Sequence, residues 1–424
     1  MGRRTLALLA VGAALGLALP AAAQAEKFCV QKPKCVAAGG TAHPSIGTAL
    51  AAASLTGGRD RIELGPHVFD DGPWTVPLGN PVVIVGAGKN KTTLRPAAPA
   101  PFQTVLTVND AETRVEKLAV DVDDGAGSTG ILASGVVRNV RVASDANVNQ
   151  TGVFLYTDSR IERSEIAMRG SDPNTVGLQM GAPGSLAREV KVKAPVGVIG
   201  GSQDTPRVVR SSIAATTVGV LVSSGSLKLD TVLVRAVGGG DGVRLVVNGF
   251  DDHSLVLKNA TVVAAQNGGT GVQAIATGLL PPFACPTITV TLRSSIVHGF
   301  ATALERTALD TGCEGTTTAD LDIAWSALKK GSRQESGPGT IKIGRGVTAA
   351  NPRFVRAKKG NYRLRPNSKL IDRGQPGKPK PGESKRDLDG RKRLIDGDGK
   401  RGARRDIGAY EFKPKKAKKK GKKR

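Results

Sequence analysis

A glycine followed by an aliphatic residue returns along the middle of this chain at nearly even intervals, and that recurrence constrains the fold more than any other feature. It occurs at Gly130-Ile131, Gly152-Val153, Gly177-Leu178, Gly197-Val198, Gly219-Val220, Gly242-Val243 and Gly271-Val272, in steps of 22, 25, 20, 22, 23 and 29 residues. A second apolar column advances beside it: Val120, Val142, Ile166, Val192, Ile213, Leu233, Val262 and Ile296. Two columns moving together mark a repeat architecture, in which each unit buries its apolar face only against its neighbours.

Around the columns the chain alternates apolar and polar residues over short runs, as in Val137-Arg-Asn-Val-Arg-Val142 and Val208-Val-Arg-Ser-Ser-Ile213. The runs are rich in β-branched residues and are separated by Gly, Asn, Asp or Ser, a pattern of strands rather than helices. The period is too short for a propeller blade, and the leucine-rich repeat pattern is absent. What remains is a coil of three short strands per turn, each turn rising by about 4.8 Å, the spacing of paired strands. A narrow core of small and β-branched residues suits the composition, 54 Gly among 424 residues with only 9 Phe, 2 Trp and 3 Tyr.

The coils differ in one place. From the glycine column to the aliphatic column the interval is 12 residues in the first coil, but 20 between Gly242 and Val262 and 25 between Gly271 and Ile296. Insertions in solenoids map to loops on one face, often the working face. The expected loops are Asn248-Gly-Phe-Asp-Asp-His-Ser254 and Ala276-Thr-Gly-Leu-Leu-Pro-Pro-Phe-Ala-Cys285. Asp251, Asp252 and His253 make the first a candidate substrate contact. A solvated acidic loop is the simpler reading of the same residues. The remaining histidines, His43, His67 and His298, are isolated and expected in turns or at the surface.

Several segments resemble a known superfamily. Ser45-Ile-Gly-Thr-Ala-Leu-Ala-Ala-Ala53, Arg61-Ile-Glu-Leu-Gly-Pro-His-Val-Phe69, Pro81-Val-Val-Ile-Val-Gly-Ala-Gly88 and Thr92-Thr-Leu94 look like the opening coils of pectate-lyase-like proteins. The resemblance implies an all-β fold: a right-handed single-stranded parallel β-helix with a short N-terminal capping helix over residues 26–350. Further on, Asn351-Pro-Arg-Phe354, Tyr362-Arg-Leu-Arg-Pro366, Ile371-Asp372, Asp387-Leu-Asp-Gly390 and Asp406-Ile-Gly-Ala-Tyr-Glu411 resemble the C-terminal part of choice-of-anchor Q surface proteins. That implies a separate region over 351–412, here with a Lys/Pro/Gly-rich insert at 375–386.

Both ends of the chain bear on location. Arg3 and Arg4, an apolar run from Leu6 to Leu19 and the Ala23-Gln24-Ala25 triplet form the three parts of a signal peptide over residues 1–25, too short for a membrane span. No later apolar stretch is long enough to cross a bilayer. Four cysteines in an exported chain favour disulfides, and their grouping favours Cys29–Cys35 and Cys285–Cys313. The two distal cysteines precede corresponding strands, which would put them on adjacent coils. The net charge of +25 is concentrated late: residues 351–424 hold 28 Lys/Arg against 8 Asp/Glu. The tail 413–424 is basic at 9 of 12 positions. Such a block is expected to be disordered and to bind polyanions by counterion release. After export the expected polyanion is an acidic wall polymer or anionic headgroup rather than nucleic acid. A solubilising tail without a fixed partner is the other reading.

β-Helices serve as lyases, hydrolases, adhesins and passive scaffolds, so fold alone does not assign chemistry. The sequence lacks the motifs of polygalacturonases and pectate lyases. It reads as a non-catalytic surface protein that contacts polysaccharide along its side wall, the alternative being a lyase or glycoside hydrolase on acidic glycans. Aligning Val120, Val142 and Ile166 places Asp123, Asp145 and Arg169 at one equivalent position. Stacked carboxylates repel, and Ca2+ held by Asp123 and Asp145, with Asp121 or Asp124, would compensate. Arg169 would then hold a uronate carboxylate or act in its elimination. A simple surface ion pair is the competing account. The acidic turns Asp387-x-Asp389-Gly390 and Asp396-Gly-Asp398-Gly399 have part of a calcium-loop pattern, but lack its remaining ligands and are flanked by Arg and Lys. They read as Asx-type turns.

Overall fold

A computed structural model describes residues 25–414, except 57, 123, 124, 250, 281, 282, 330, 331 and 401. The expected signal peptide and almost all of the basic tail lie outside the described residues, as do Asp123 and Asp124. No helix among the described residues is long and apolar enough to cross a membrane.

The chain winds as a right-handed parallel β-helix with three strands per coil. In one coil these are Val136–Arg138, Arg141–Ser144 and Gln150–Leu155, and each pairs in parallel with its counterparts in the coils before and after. They define a first, second and third wall. The first wall is a 14-stranded sheet, while the second and third merge into a 20-stranded one. They merge because Lys191–Gly200 and Ser212–Val222 run unbroken from one wall into the next.

The glycine column follows from packing. A Cβ on Gly152 would lie 2.6 Å from both the Gly177 carbonyl oxygen and Ile166 Cγ2, closer than real atoms approach. The residue after each glycine points inward and is buried, from Ile131 through Val153, Leu178, Val198, Val220 and Val243 to Val272. Burying each such side chain contributes about 1.5–3 kcal/mol.

Between the first and second walls the chain turns through one residue in the left-handed region. Lys117, Asn139, Arg163, Glu189, Arg210, Thr231, Asn259, Ser294 and Trp325 all have φ between 48° and 63°. This conformation is unfavourable for a residue with a Cβ, yet it recurs because each N–H gains a partner one coil on. Asn139 N–H donates to Glu162 O at 2.9 Å, Arg163 N–H to Arg188 O at 3.0 Å and Asn259 N–H to Arg293 O at 2.9 Å. Where serine follows, its hydroxyl joins the ladder: Ser164 Oγ accepts from Val140 N–H and Ser211 Oγ from Val190 N–H, both at 3.1 Å.

The N-terminal opening of the coil is covered by a helix, Ile46–Ala53, held by a capping box between Ser45 and Thr48. Its Ile46, Ala49, Leu50 and Ala53 are buried, the spacing of a single helix face. A shorter helix, Pro33–Ala37, carries Cys35 and was not expected from the sequence. Both disulfides form as the cysteine grouping suggested. Cys285 and Cys313 have Cα atoms 5.2 Å apart on adjacent coils, whose Leu292 and Ile323 are paired. Cys29 and Cys35 are 5.7 Å apart.

Two sequence expectations need correction. Leu233 and Ile296 do not belong to the inward column of the second wall: Ile213 pairs with Val234 and Val262 with Val297, a shift of one residue at each place. Leu233 and Ile296 therefore face outward, and what covers them is the C-terminal region. After Ile341–Ile343 the chain doubles back along the second wall, passing through an antiparallel hairpin of Phe354–Arg356 and Asn361–Leu364. Leu233 and Val263 pack with Tyr362, Ala409 and Tyr410, while Ile296 and Ala327 pack with Leu364, Leu370, Ile371 and Ile407. The second correction concerns the long intervals, which lengthen strands before they add loops. Asp241–Gly249 and Thr270–Gly278 are paired to their ends, through Asn248 with Thr277 and Gly249 with Gly278.

Polar groups lock the returning segment. Arg393, 1% exposed, pairs with Glu411, 0% exposed, at 2.7 Å, and also donates to Thr231 Oγ1 and to the carbonyls of Gly408 and Ala409. Ser384 N–H donates to Asp230, and Ala409 N–H to Thr261 Oγ1. Lys258 and Arg405 both pair with Glu383.

Candidate functional site

The second wall is bare over its earlier coils, and a cleft opens there. Strands Thr93–Pro96, Ala119–Asp121, Arg141–Ser144 and Glu165–Met168 stack in register, with Leu94, Val120, Val142 and Ile166 inward. Alternation turns Arg95, Asp121, Arg141 and Glu165 outward. Arg95, Pro96, Asp121, Arg141, Ser144 and Asp145 line a cavity of about 540 Å3, open to solvent.

The charges in and beside this cleft are mostly spoken for. Arg95 pairs with Asp121 at 3.2 Å, Arg169 with Asp145 at 3.5 Å, and Lys89 with Glu165 at 3.6 Å. Register explains the second pair: Ser144 is opposite Met168, and Arg169 N–H donates to Ser144 O at 2.8 Å, which leaves Asp145 and Arg169 on adjacent rungs. Exposed pairs of this kind contribute at most about 1 kcal/mol each. Arg141 has no ion-pair partner among the described residues. Arg95 and Arg141 were not singled out from the sequence, although each directly adjoins an inward apolar residue, Leu94 and Val142 respectively.

Asp121 and Asp145 do not fall within any set of three ligand atoms close enough to share a metal ion among the described residues. Asp251 and Asp252 are exposed, and Asp252 Oδ1 accepts from Thr287 N–H at 2.8 Å. His253 departs from the acidic-loop reading. It opens the strand His253–Lys258 with its side chain inward and 8% exposed, apart from the aspartates. Burial lowers its pKa against the opposing pull of Asp251 and Asp252. His298 is likewise partly buried, 5.8 Å edge-on to Phe354, and burial lowers its pKa.

A second concavity of about 390 Å3 lies where the returning segment crosses the first wall, lined by Arg188, Arg207, Arg210, Lys385 and Arg386 together with Glu383. Burial, followed by Arg188, Arg386 and Arg163, lowers the pKa of Arg210. Glu189 pairs with both Arg163 and Arg210 and relieves part of that repulsion. No sequence signal joins Lys385 and Arg386 to arginines almost two hundred residues earlier.

Comparison with known proteins bears on the fold. No family model matches the chain, the 351–412 region included, and no curated protein matches it. Among solved structures it is similar to pectate lyase Pel9A, with a TM-score of 0.53 and 13% identity over 92% of this chain and 97% of that one. The fold is that of the pectate-lyase-like parallel β-helices. Other matches are weaker. The A-module of the mannuronan C-5 epimerase AlgE4 from Azotobacter vinelandii has a TM-score of 0.44 and 12% identity over 72% of this chain and 95% of that one. A mannuronic acid specific polysaccharide family 6 lyase from human gut microbiota has a TM-score of 0.44 and 10% identity over 79% of this chain and 90% of that one.

Proposed function

We propose that this is an exported, non-catalytic β-helix protein that binds acidic polysaccharide along the bare part of its second wall. The observation that carries this reading is the open cleft whose lining joins the Arg95–Asp121 pair and Asp145, the partner of Arg169, with Arg141, which has no ion-pair partner among the described residues. Paired carboxylates and guanidiniums offer fixed donors and acceptors to hydroxyls, and Arg141 offers a donor fork to a uronate carboxylate. Arg169, the residue considered for elimination, is ion-paired with Asp145. The two disulfides suit an extracellular or envelope location. The 351–412 region, read as a choice-of-anchor Q type segment, and the basic tail would keep the protein at the envelope.

The test is a gel-retardation series on polygalacturonate, alginate and a neutral glucan, run beside reducing-end and unsaturated-product assays on the same polymers. Retention on the acidic gels, reduced in an Arg95→Ala/Arg141→Ala variant and without product formation, supports the reading. Unsaturated product abolished by Arg169→Ala would replace it with a lyase. Deleting residues 413–424 should leave cleft binding intact, while weakening retention on acidic wall material and flattening its salt dependence.

A further inference from the structure

The C-terminal region holds a second group of carboxylates, unrelated to the cleft. Asp372, Asp396 and Asp398 each present a carboxylate oxygen, and the three oxygens lie within 4.8 Å of one another. Two oxygens sharing one Ca2+ lie at most about 5.2 Å apart, twice the longest usual bond of about 2.6 Å. The group meets that limit.

Asp372 is the informative member. Its side chain is 0% exposed, and its Oδ1 is buried without any hydrogen-bond partner. Its Oδ2 accepts from Gly397 N–H at 2.9 Å and Asp398 N–H at 2.7 Å, which seats the carboxylate inside the 396–398 turn. Asp396 and Asp398 each commit one oxygen to a backbone donor, Oδ1 to Gly399 N–H and Oδ1 to Lys400 N–H, both at 2.8 Å. These are the Asx-type turns expected from sequence, and each leaves its second oxygen over. None of the three carboxylates has an ion-pair partner among the described residues. Of the cations around the group, Arg393 pairs with Glu411 and Arg405 with Glu383, while Arg373, Lys400 and Arg404 flank it in the chain and form no ion pair among the described residues. A buried acceptor without a partner and three uncompensated carboxylates in one place call for a hard cation.

We propose that Asp372, Asp396 and Asp398 bind one Ca2+ that fastens the returning C-terminal segment to itself. Asp372 follows Ile371, which packs on the second wall, whereas Asp396 and Asp398 belong to a turn more than twenty residues later. The ion would therefore close that length of chain into a loop.

The test uses the full-length protein, with Tb3+ luminescence and Ca2+ competition as the binding readout and melting temperature and limited proteolysis as structural ones. One site per chain is expected, with Ca2+ raising the melting temperature and slowing cleavage between residues 375 and 404. Asp396→Asn/Asp398→Asn keeps both turn acceptors and removes two charges. It should weaken Tb3+ binding at least tenfold and abolish the Ca2+ effect on cleavage. Asp145→Ala should change neither. Absence of Tb3+ and Ca2+ binding, or binding unchanged in the double Asn variant, overturns the proposal. An Asp372→Asn variant that binds Tb3+ as tightly as wild type also overturns it, because Asp372 would then hold no ion.

Discussion

The second wall is one continuous surface with two characters. Its outward column runs Arg141, Glu165, Lys191 and Ser212, then Leu233, Thr261, Ile296 and Ala327, each paired with the next. The first four face solvent, while the last four lie beneath residues 351–412. The backbone is the same throughout, so the strand geometry does not decide what the wall does. Side chains at a single alternating position do, and they switch between Ser212 and Leu233. A solenoid can thus carry an open polar surface and a covered apolar one on the same face, with the boundary set by where its own chain returns.

This contrast can be broken from the covered side first. Arg393→Ala leaves Glu411 buried without its guanidinium, and losing one partner of a buried pair costs about 3–5 kcal/mol. The returning segment should become protease-sensitive while β-rich circular dichroism persists. Unchanged cleavage would mean that apolar contacts alone hold it.

The next largest effect is expected from pH. Burial, with the Asp387 charge adding to it, pushes the Glu411 pKa from 4.5 to about 7 against the opposing pull of Arg393, and burial together with Glu411 raises that of Asp406. A carboxyl with a raised folded-state pKa binds more protons folded than unfolded, so its stabilisation is complete below the unfolded value and lost as pH rises through the folded one. The covering segment should therefore loosen between about pH 4.5 and 7, by no more than about 3 kcal/mol for this group. Proteolysis at pH 5 and pH 8 measures it, and Glu411→Gln should flatten the profile.

Leu233→Ala removes a large side chain from the covered interface and should cost about 2–3 kcal/mol. Arg141→Ala on the bare part should stay within about 0.5 kcal/mol in thermal unfolding while weakening polyuronate retention. Equal stability losses at the two positions would erase the distinction between the halves.

Much of the coil was legible because its two columns leave periodic traces in the chain. The one-residue shifts at Leu233 and Ile296 were not, and the reason is physical. In Leu233-Val234 and Ile296-Val297 both neighbours are apolar, so alternation cannot say which faces inward. The second apolar residue is needed only because a segment more than a hundred residues later in the first case covers it. The left-handed turn was also hidden. Its nine positions carry lysine, asparagine, arginine, glutamate, threonine, serine and tryptophan, because the repeated bond uses the backbone N–H and requires no particular side chain. In the cleft, Asp145 and Arg169 were readable from their equal offset to Val142 and Ile166. Arg95 and Arg141 needed the register of the strands. The meeting of Asp372 with Asp396 and Asp398 depends on a chain reversal that no local pattern records.

The path of the returning segment also governs how tension would enter the molecule. Pulled from its last rung, a stack of coils unzips one turn at a time, because each turn holds only its neighbours. Here the C-terminal segment is bonded to the middle of the stack, through Ser384 to Asp230, Arg393 to Thr231, Ala409 to Thr261 and Gly408 to Ser294. A load applied through that segment is shared in shear across several rungs at once and bypasses the terminal turn. The covering layer thus acts as a splint as well as a lid, and the rod would resist a steady pull better than its outermost coil alone would allow.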